Sequence, residues 1–155
     1  MTNFTSAHES RTGFLGARRL AYPADHVEAD NRLSWLLGRL DEAYGDEAFY
    51  VHLRRDADAT AASFVKRYRK GIMRAYTRRG ILHGLPRDAD RLEVARDYCL
   101  TVGSNIEHFL RDKTHTLAMD IETPLEAFEL LWDRIGAEGD FEAGARELGI
   151  RHNAS

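Results

Sequence analysis

The chain has 155 residues, of which 43% are hydrophobic and 30% are charged, and its formal net charge is −3. This ordinary globular balance provides no global basic field that would attract nucleic acid or a membrane surface. The single cysteine, Cys99, excludes an internal disulfide or a cysteine-rich zinc site. No apolar run reaches the roughly 20 residues of a membrane span, and the N-terminus lacks the features of a secretory signal. We therefore expect one cytoplasmic domain over residues 1–155.

The first half of the chain predicts strands and one early helix. Short strands are expected at residues 3–7 and 26–29, with a glycine-containing loop between them. After Asp30, apolar residues recur at helical spacing as far as Tyr44. Residues 48–53 are aromatic-rich and almost continuously apolar, which is typical of a buried strand in a parallel sheet.

The second half of the chain is mostly helical in pattern. Helices are expected at residues 59–79, 90–113, 124–136 and 140–148, and a second buried strand at residues 115–121. Thr123-Pro124-Leu125-Glu126 has the form of a capping box with proline at the first helical position. Strands that alternate with long helices favour an α/β layered fold with a short parallel sheet, and an all-α fold is the alternative.

The residues with the clearest chemical signature follow the expected strand at 48–53. Arg55 comes directly after this strand, Asp56 offers a helix cap, and Ser63 lies eight residues beyond Arg55. A helix N-terminus supplies free N–H groups and a positive dipole end, an arginine contacts phosphate bidentately, and a serine adds a hydroxyl donor. Ligands also bind at the carboxyl ends of parallel strands in open α/β sheets. The pattern therefore predicts an anion site.

This arrangement resembles the second cofactor motif of the sulfotransferases that use 3′-phosphoadenosine-5′-phosphosulfate (PAPS). That motif is a strand, then Arg-Asp/Asn-Pro, then a helix with a serine eight residues after the arginine. The resemblance implies that Arg55 and Ser63 bind the 3′-phosphate of PAPS. Ala57 stands where the family usually has proline, which reduces the rigidity of the loop but removes no phosphate ligand.

The resemblance covers roughly residues 26–153. It includes a strand that ends in an acid at 117–122, an aromatic helix stripe at 128–135, and Arg-His-Asn at 151–153. It implies a helix-rich, three-layer α/β fold with a short parallel sheet, like a P-loop nucleotide-binding sulfotransferase domain truncated at its N-terminus. It also implies transfer of a sulfuryl group from PAPS to a hydroxyl or amine of a small-molecule or carbohydrate acceptor.

The front of the chain departs from that family. Sulfotransferases open with a strand and a loop, rich in Gly, Ser and Thr with a basic residue, that wraps the 5′-phosphosulfate. Residues 13–16 offer neither these residue types nor a clear strand before them, so we expect this loop to be missing, in a fragment or in a domain that has lost it. In the family the general base lies just after the loop or on the next strand. Glu9 and His8 are therefore the first candidates, and His26 and Glu28 the second.

A dense basic run with two interleaved tyrosines occupies residues 64–79. Cations and stacked tyrosines suit nucleic acid, but the tyrosines fall on the apolar face of the expected helix, which favours a solvated basic face. The alternative functions are a catalytically inactive relative, or a helical interaction module that binds a partner or nucleic acid through this run.

No two of the seven histidines have the i, i+4 spacing of a helical metal site, so no metal is expected. Cys99 lies on an apolar stripe and is expected to pack rather than react.

Overall fold

The computed structural model describes residues 1–150, with Arg79 described by its backbone alone. The resemblance noted at residues 151–153 lies outside this range. In chain order the elements are β1 (Thr5–His8), a 3₁₀ turn (Gly16–Arg19), β2 (His26–Ala29), a second 3₁₀ turn (Asn31–Trp35), α1 (Leu37–Tyr44), β3 (Tyr50–Arg54), α2 (Ala57–Lys66), α3 (Gly71–Ala75), a π-helical turn (Tyr76–Gly80), α4 (Arg91–Leu110), β4 (Thr116–Asp120), α5 (Leu125–Arg134) and α6 (Phe141–Leu148).

Contacts within the chain group these elements into two units. The first, which we call the strand unit, consists of Met1–Arg54 and Leu110–Ser155. The second, the helical unit, is Arg55–Phe109, so the boundary falls directly before Arg55. The units differ in formal charge, which is −7 for the strand unit and +4 for the helical unit.

The strand unit holds two separate two-stranded parallel sheets. In one sheet β1 pairs with β2, starting with Thr5 opposite His26, and in the other β3 pairs with β4, starting with Tyr50 opposite Thr116. The α/β class and the parallel pairing are therefore confirmed, and the all-α alternative is wrong. The expectation of one sheet is also wrong, because the strands described form two pairs.

The four predicted strands are present, but their burial differs from the expectation. Val51 and Leu53 alternate on one face of β3 and are exposed, with 57% of Leu53 accessible. Met119 on β4 is buried, and so are Leu20 and Leu40 of the same unit. In a sheet of only two strands, one face of a strand can stay open to solvent. A continuous apolar run therefore does not guarantee a buried strand.

The long helix expected at residues 59–79 is interrupted. α2 ends at Lys66, four residues of turn follow, and α3 begins at Gly71, whose φ is +49°. Glycine adopts this left-handed conformation without the steric cost that other residues pay, so the helical register breaks here although the apolar periodicity continues. The capping box before α5 is also wrong, because α5 begins one residue later than expected and has Pro124 as its N-cap, without a side-chain cap bond.

The core of the helical unit is built where α2, α3 and α4 supply their apolar faces. Its fully or nearly buried residues are Ala61, Met73, Tyr76, Val94, Ala95 and Tyr98. The ring of Tyr98 meets Phe64 and Tyr76 edge to face at centroid distances of 5.1 and 5.2 Å. Such contacts add to the hydrophobic burial and fix the faces of these helices.

Candidate functional sites

The predicted anion residues Arg55 and Ser63 both belong to the helical unit. Arg55 is exposed just before α2, and Ser63 is half-buried nearly two turns into that helix. The Ser63 Oγ accepts a hydrogen bond of 3.4 Å from Nη2 of Arg67, four residues further along. Sequence reasoning did not single out Arg67, although its i, i+4 spacing from Ser63 places both on one helix face.

The N-terminus of α2 is capped, as expected, by Asp56. Its Oδ1 accepts the backbone N–H of Ala59 at 2.7 Å, and its carbonyl accepts the N–H of Thr60 at 2.9 Å. The carboxylate therefore occupies one of the N–H groups that the sequence left open for an anion. Asp58, in the first turn, adds a second carboxylate and accepts a bond of 2.7 Å from Nε of Arg96. The electrostatic attraction of this helix end for a further anion is reduced accordingly.

The basic run at residues 64–79 is solvated, whereas its tyrosines pack. Among its described side chains, six cations are exposed, namely Lys66, Arg67, Arg69, Lys70, Arg74 and Arg78. The Tyr76 side chain is buried and donates a 2.5 Å hydrogen bond to Oδ2 of Asp97. Burial raises the pKa of Tyr76, and the bond to Asp97 raises it further. Tyr68 is half-buried beneath the guanidinium of Arg91, which lies 5.4 Å from its ring centroid. Neither ring is therefore displayed for stacking on bases.

In the strand unit, the carboxyl end of β1 carries the first two candidate bases. Glu9 follows β1 in the left-handed region, with φ at +51°, and its Oε1 lies 2.5 Å from Nη1 of Arg32. His8 is exposed at the last position of β1. The first two candidates are thus adjacent in the chain, but only the carboxylate is engaged by a cation.

The second pair of candidates is brought together in one hydrogen-bonded cluster. Nε2 of His26 lies 3.2 Å from Oε2 of Glu28, and Nδ1 lies 2.8 Å from Oγ1 of Thr5. Glu28 also accepts the backbone N–H and the hydroxyl of Ser10, at 2.7 and 2.6 Å. Burial acts to raise the pKa of Glu28, but the bonds from Ser10 and His26 outweigh it, so this pKa lies below its usual value. Glu28 is therefore held in its ionised form.

A buried ion pair beside this edge escaped sequence reasoning. Nη2 of Arg19 lies 2.5 Å from Oδ2 of Asp30, and the side chains are only 7% and 0% exposed. Asp30 directly follows β2, as Glu9 directly follows β1. An acid directly after each strand was the feature of the sequence that could have singled out Asp30. Arginine at position 19 gave no such signal, because its pairing with Asp30, across a loop and strand β2, depends on tertiary structure.

The loop after β1 lies at the front of the chain, where the family's phosphosulfate loop is expected to be missing. β1 ends at His8, so the strand expected at residues 3–7 leads into the loop that contains residues 13–16. The loop contains Ser10, Arg11 and Thr12 ahead of Gly13. Arg11 donates from Nη1 to the carbonyl of Arg18 at 3.1 Å, which ties the loop to the turn that follows. The sequence did predict this strand, at residues 3–7, but residues 9–12 separate it from the glycine-containing segment 13–16.

The remaining candidate features of the described chain are a surface depression, the single cysteine and metal-binding side chains. An open depression of about 370 Å³ in the strand unit is lined by Ala17, Leu20, Ala21, Arg39, Glu42, Ala43 and Tyr44, and holds none of the predicted site residues. Cys99 is half-buried, and burial raises the pKa of its thiol. Within residues 1–150 no group of three or more His, Cys, Asp or Glu side chains is placed to hold a metal ion.

No helix in this part of the chain combines the length and apolar character needed to cross a bilayer. Comparison of the chain with family models, with curated proteins and with solved structures found no match.

Proposed function

We propose that this chain is a PAPS-dependent sulfotransferase in which Arg55 and Ser63 hold the 3′-phosphate of the nucleotide. The observation that supports this function best is the order of elements around α2. A parallel strand, Arg55, a capped helix start at Asp56 and a half-buried Ser63 follow one another as the family motif requires. A guanidinium and a hydroxyl are suited to a phosphate dianion, since both donate hydrogen bonds and one carries charge.

The proposal includes the loss of the family's loop for the 5′-phosphosulfate. The segment Ser10-Arg11-Thr12-Gly13 follows a parallel strand, but both donors of Ser10 are bound to the Glu28 carboxylate. A phosphosulfate at this segment would have to displace a carboxylate whose pKa is lowered and which is held in its ionised form. The three-layer, P-loop-like arrangement of the whole domain belongs to the same proposal.

The reaction requires a base for the acceptor. The acceptor oxygen or nitrogen forms a bond to sulfur while the bond between sulfur and the bridging phosphate oxygen breaks. The acceptor proton passes to the base, and 3′,5′-adenosine bisphosphate leaves. Glu9 and His8 remain the first candidates. Glu28 is a weaker base because its hydrogen bonds stabilise the ionised form, and both ring nitrogens of His26 already have partners.

Calorimetric titration with 3′,5′-adenosine bisphosphate tests the binding half of this proposal. We expect Arg55→Ala and Ser63→Ala to weaken binding by about tenfold or more, because each removes a donor to a charged group. Matched controls in the same unit are Arg87→Ala, which removes an exposed arginine, and Ser104→Ala, whose hydroxyl donates to the carbonyl of Thr101. Equal affinities for the site and control variants would contradict the assignment. Binding without sulfuryl transfer would identify a catalytically inactive relative.

A second candidate function is polyanion binding by the exposed cations of the basic run. No Asp or Glu occurs between Asp58 and Asp88, and the ion pairs found within residues 1–150 do not involve Lys66, Arg69, Lys70, Arg74 or Arg78. Titration with a DNA duplex at several salt concentrations separates the two functions. Binding that weakens steeply with salt, without binding of the bisphosphate, would favour this module.

A further inference from the structure

Arg67 occupies an unusual place at the end of α2. It is the C-cap residue, and its backbone N–H donates to the carbonyl of Phe64 at 3.0 Å. Its side chain turns back along the helix, where Nη2 reaches Oγ of Ser63 at 3.4 Å. Ser63, which the proposed function assigns to the 3′-phosphate, therefore already has the guanidinium of Arg67 beside it.

The charge of Arg67 is not used by a carboxylate. No ion pair within residues 1–150 involves it, in contrast to Arg96, which pairs with Asp58 at the other end of the helix. A cation at a helix C-terminus is favourable in itself, but Lys66 in the last turn already provides that interaction. The contact of Arg67 with Ser63 is therefore not explained by the attraction between a cation and the helix C-terminus.

The distribution of charge along α2 favours an anion at the Ser63 end. Carboxylates of Asp56 and Asp58 occupy the first turn, and no acidic residue follows until Asp88. Beyond the first turn and as far as Asp88, the only charged side chains are cations, which begin at Lys66 and attract a phosphate dianion. Ser63 lies between these regions, on the same helix face as Arg67.

We infer that Arg67 is a second guanidinium ligand of the nucleotide 3′-phosphate, acting together with Ser63. The inference rests on the proposed function and adds a residue to it. Arg67 donates to a lone pair of Ser63 Oγ, so the hydroxyl hydrogen of Ser63 remains available to a phosphate oxygen. A phosphate monoester carries close to two negative charges at neutral pH, and the guanidiniums of Arg55 and Arg67 match that charge.

Arg67→Ala and Arg69→Ala form a matched pair for the test. Both remove one exposed arginine from the basic run, but only Arg67 contacts Ser63. The two ligands are 3′,5′-adenosine bisphosphate and adenosine 5′-monophosphate, which differ by the 3′-phosphate. We expect Arg67→Ala to weaken bisphosphate binding by about tenfold and Arg69→Ala by about twofold at most, since a donor to a charged group outweighs a screened surface charge. Affinity for the monophosphate should be equal in both variants.

Two further variants separate phosphate contact from helix stability. Lys66→Ala removes the last-turn cation without touching Ser63, and should leave bisphosphate affinity within about twofold, as for the screened surface charge above. Arg67→Lys keeps the charge but loses the planar fork, and should fall between Arg67→Ala and the unaltered chain. Circular dichroism of each variant verifies that the helical content is unchanged.

The outcomes distinguish this inference from the function on which it rests. If Arg55→Ala weakens bisphosphate binding but Arg67→Ala equals Arg69→Ala, the role of Arg67 is overturned and the proposed function stands. If the unaltered chain does not bind the bisphosphate, both are overturned. A loss in Arg67→Ala that is equally large for the monophosphate also contradicts the inference, because it locates the contact elsewhere on the nucleotide.

Discussion

The strand unit and the helical unit use their charged residues in different ways. In the strand unit the ion pair Arg19–Asp30 and the hydrogen-bonded carboxylate of Glu28 are almost completely shielded from solvent. In the helical unit the pair of Arg96 with Asp58 is at least half exposed, and a row of cations has no acidic partner within residues 1–150. Buried pairs hold a fold together because removing one partner leaves an uncompensated charge, whereas exposed cations are available to a ligand. The shielded charges of the first unit therefore stabilise its fold, and the exposed cations of the second unit are the ones accessible to the proposed ligand.

The largest effect should come from breaking the buried pair of the strand unit. Asp30→Asn keeps an oxygen that can accept the backbone N–H of Arg32, but it removes the counterion of Arg19. We expect a loss of about 3–5 kcal/mol in the free energy of unfolding, measured by urea denaturation. Asp58→Asn, at the exposed pair of the helical unit, should cost about 0–1 kcal/mol. Equal losses in the two variants would remove the distinction between the units.

A smaller effect is expected from the buried hydroxyl of the helical unit. Tyr76→Phe removes the donor to Asp97 but keeps the ring that packs against Tyr98. The expected loss is about 1–3 kcal/mol in urea denaturation, because Asp97 loses a hydrogen bond in a partly buried place. The exposed Arg78, two residues further on, serves as the control, since Arg78→Ala should change stability by less than about 0.5 kcal/mol. A loss in Tyr76→Phe no greater than in the control would mean that this bond contributes nothing.

Acid titration tests the role of Glu28 in the strand unit. Its pKa is lower in the folded chain than its usual value of 4.5, so the unfolded chain takes up the proton first as the pH falls. The stability that Glu28 contributes is therefore fully present above its unfolded pKa, and it is lost as the pH falls through its folded pKa. Glu28→Gln should be less stable than the unaltered chain at pH 7, and the difference should shrink below pH 4.5. A difference that stays constant with pH would contradict the lowered pKa.

The sequence predicted the strands better than their arrangement. Short apolar runs such as the one around Tyr50 reveal a strand locally, but pairing with a partner some 66 residues away depends on tertiary contacts. The same limit applies to burial, since the exposed Leu53 has the same apolar character as a core residue. Gly71 was visible in the sequence, but only its positive φ shows that a new helix begins there after the break at residues 67–70.

In the candidate sites too, the sequence predicted local features but not contacts that depend on the tertiary structure. Asp56 as a cap was predictable because capping is local, and so were the positions of Arg55 and Ser63 along the chain. The contact between Ser63 and Arg67 follows from helix geometry, but the dense basic run concealed it. The cluster around Glu28 joins residues from β1, its loop and β2, so only the folded chain brings them together.

The smallest predicted effect tests whether burial, rather than the presence of an ion pair, explains the contrast between the units. Arg54 and Asp120 make a bidentate pair in the strand unit, with Nε–Oδ1 and Nη2–Oδ2 distances of 3.0 and 2.9 Å, but both side chains are about half exposed. A double-mutant cycle with Arg54→Ala and Asp120→Ala should give a coupling energy of about 0.2–1 kcal/mol, reduced by added salt. This geometry is good, so a small coupling must come from solvent screening. A coupling as large as the loss in Asp30→Asn would show instead that the strand unit strengthens its ion pairs regardless of exposure.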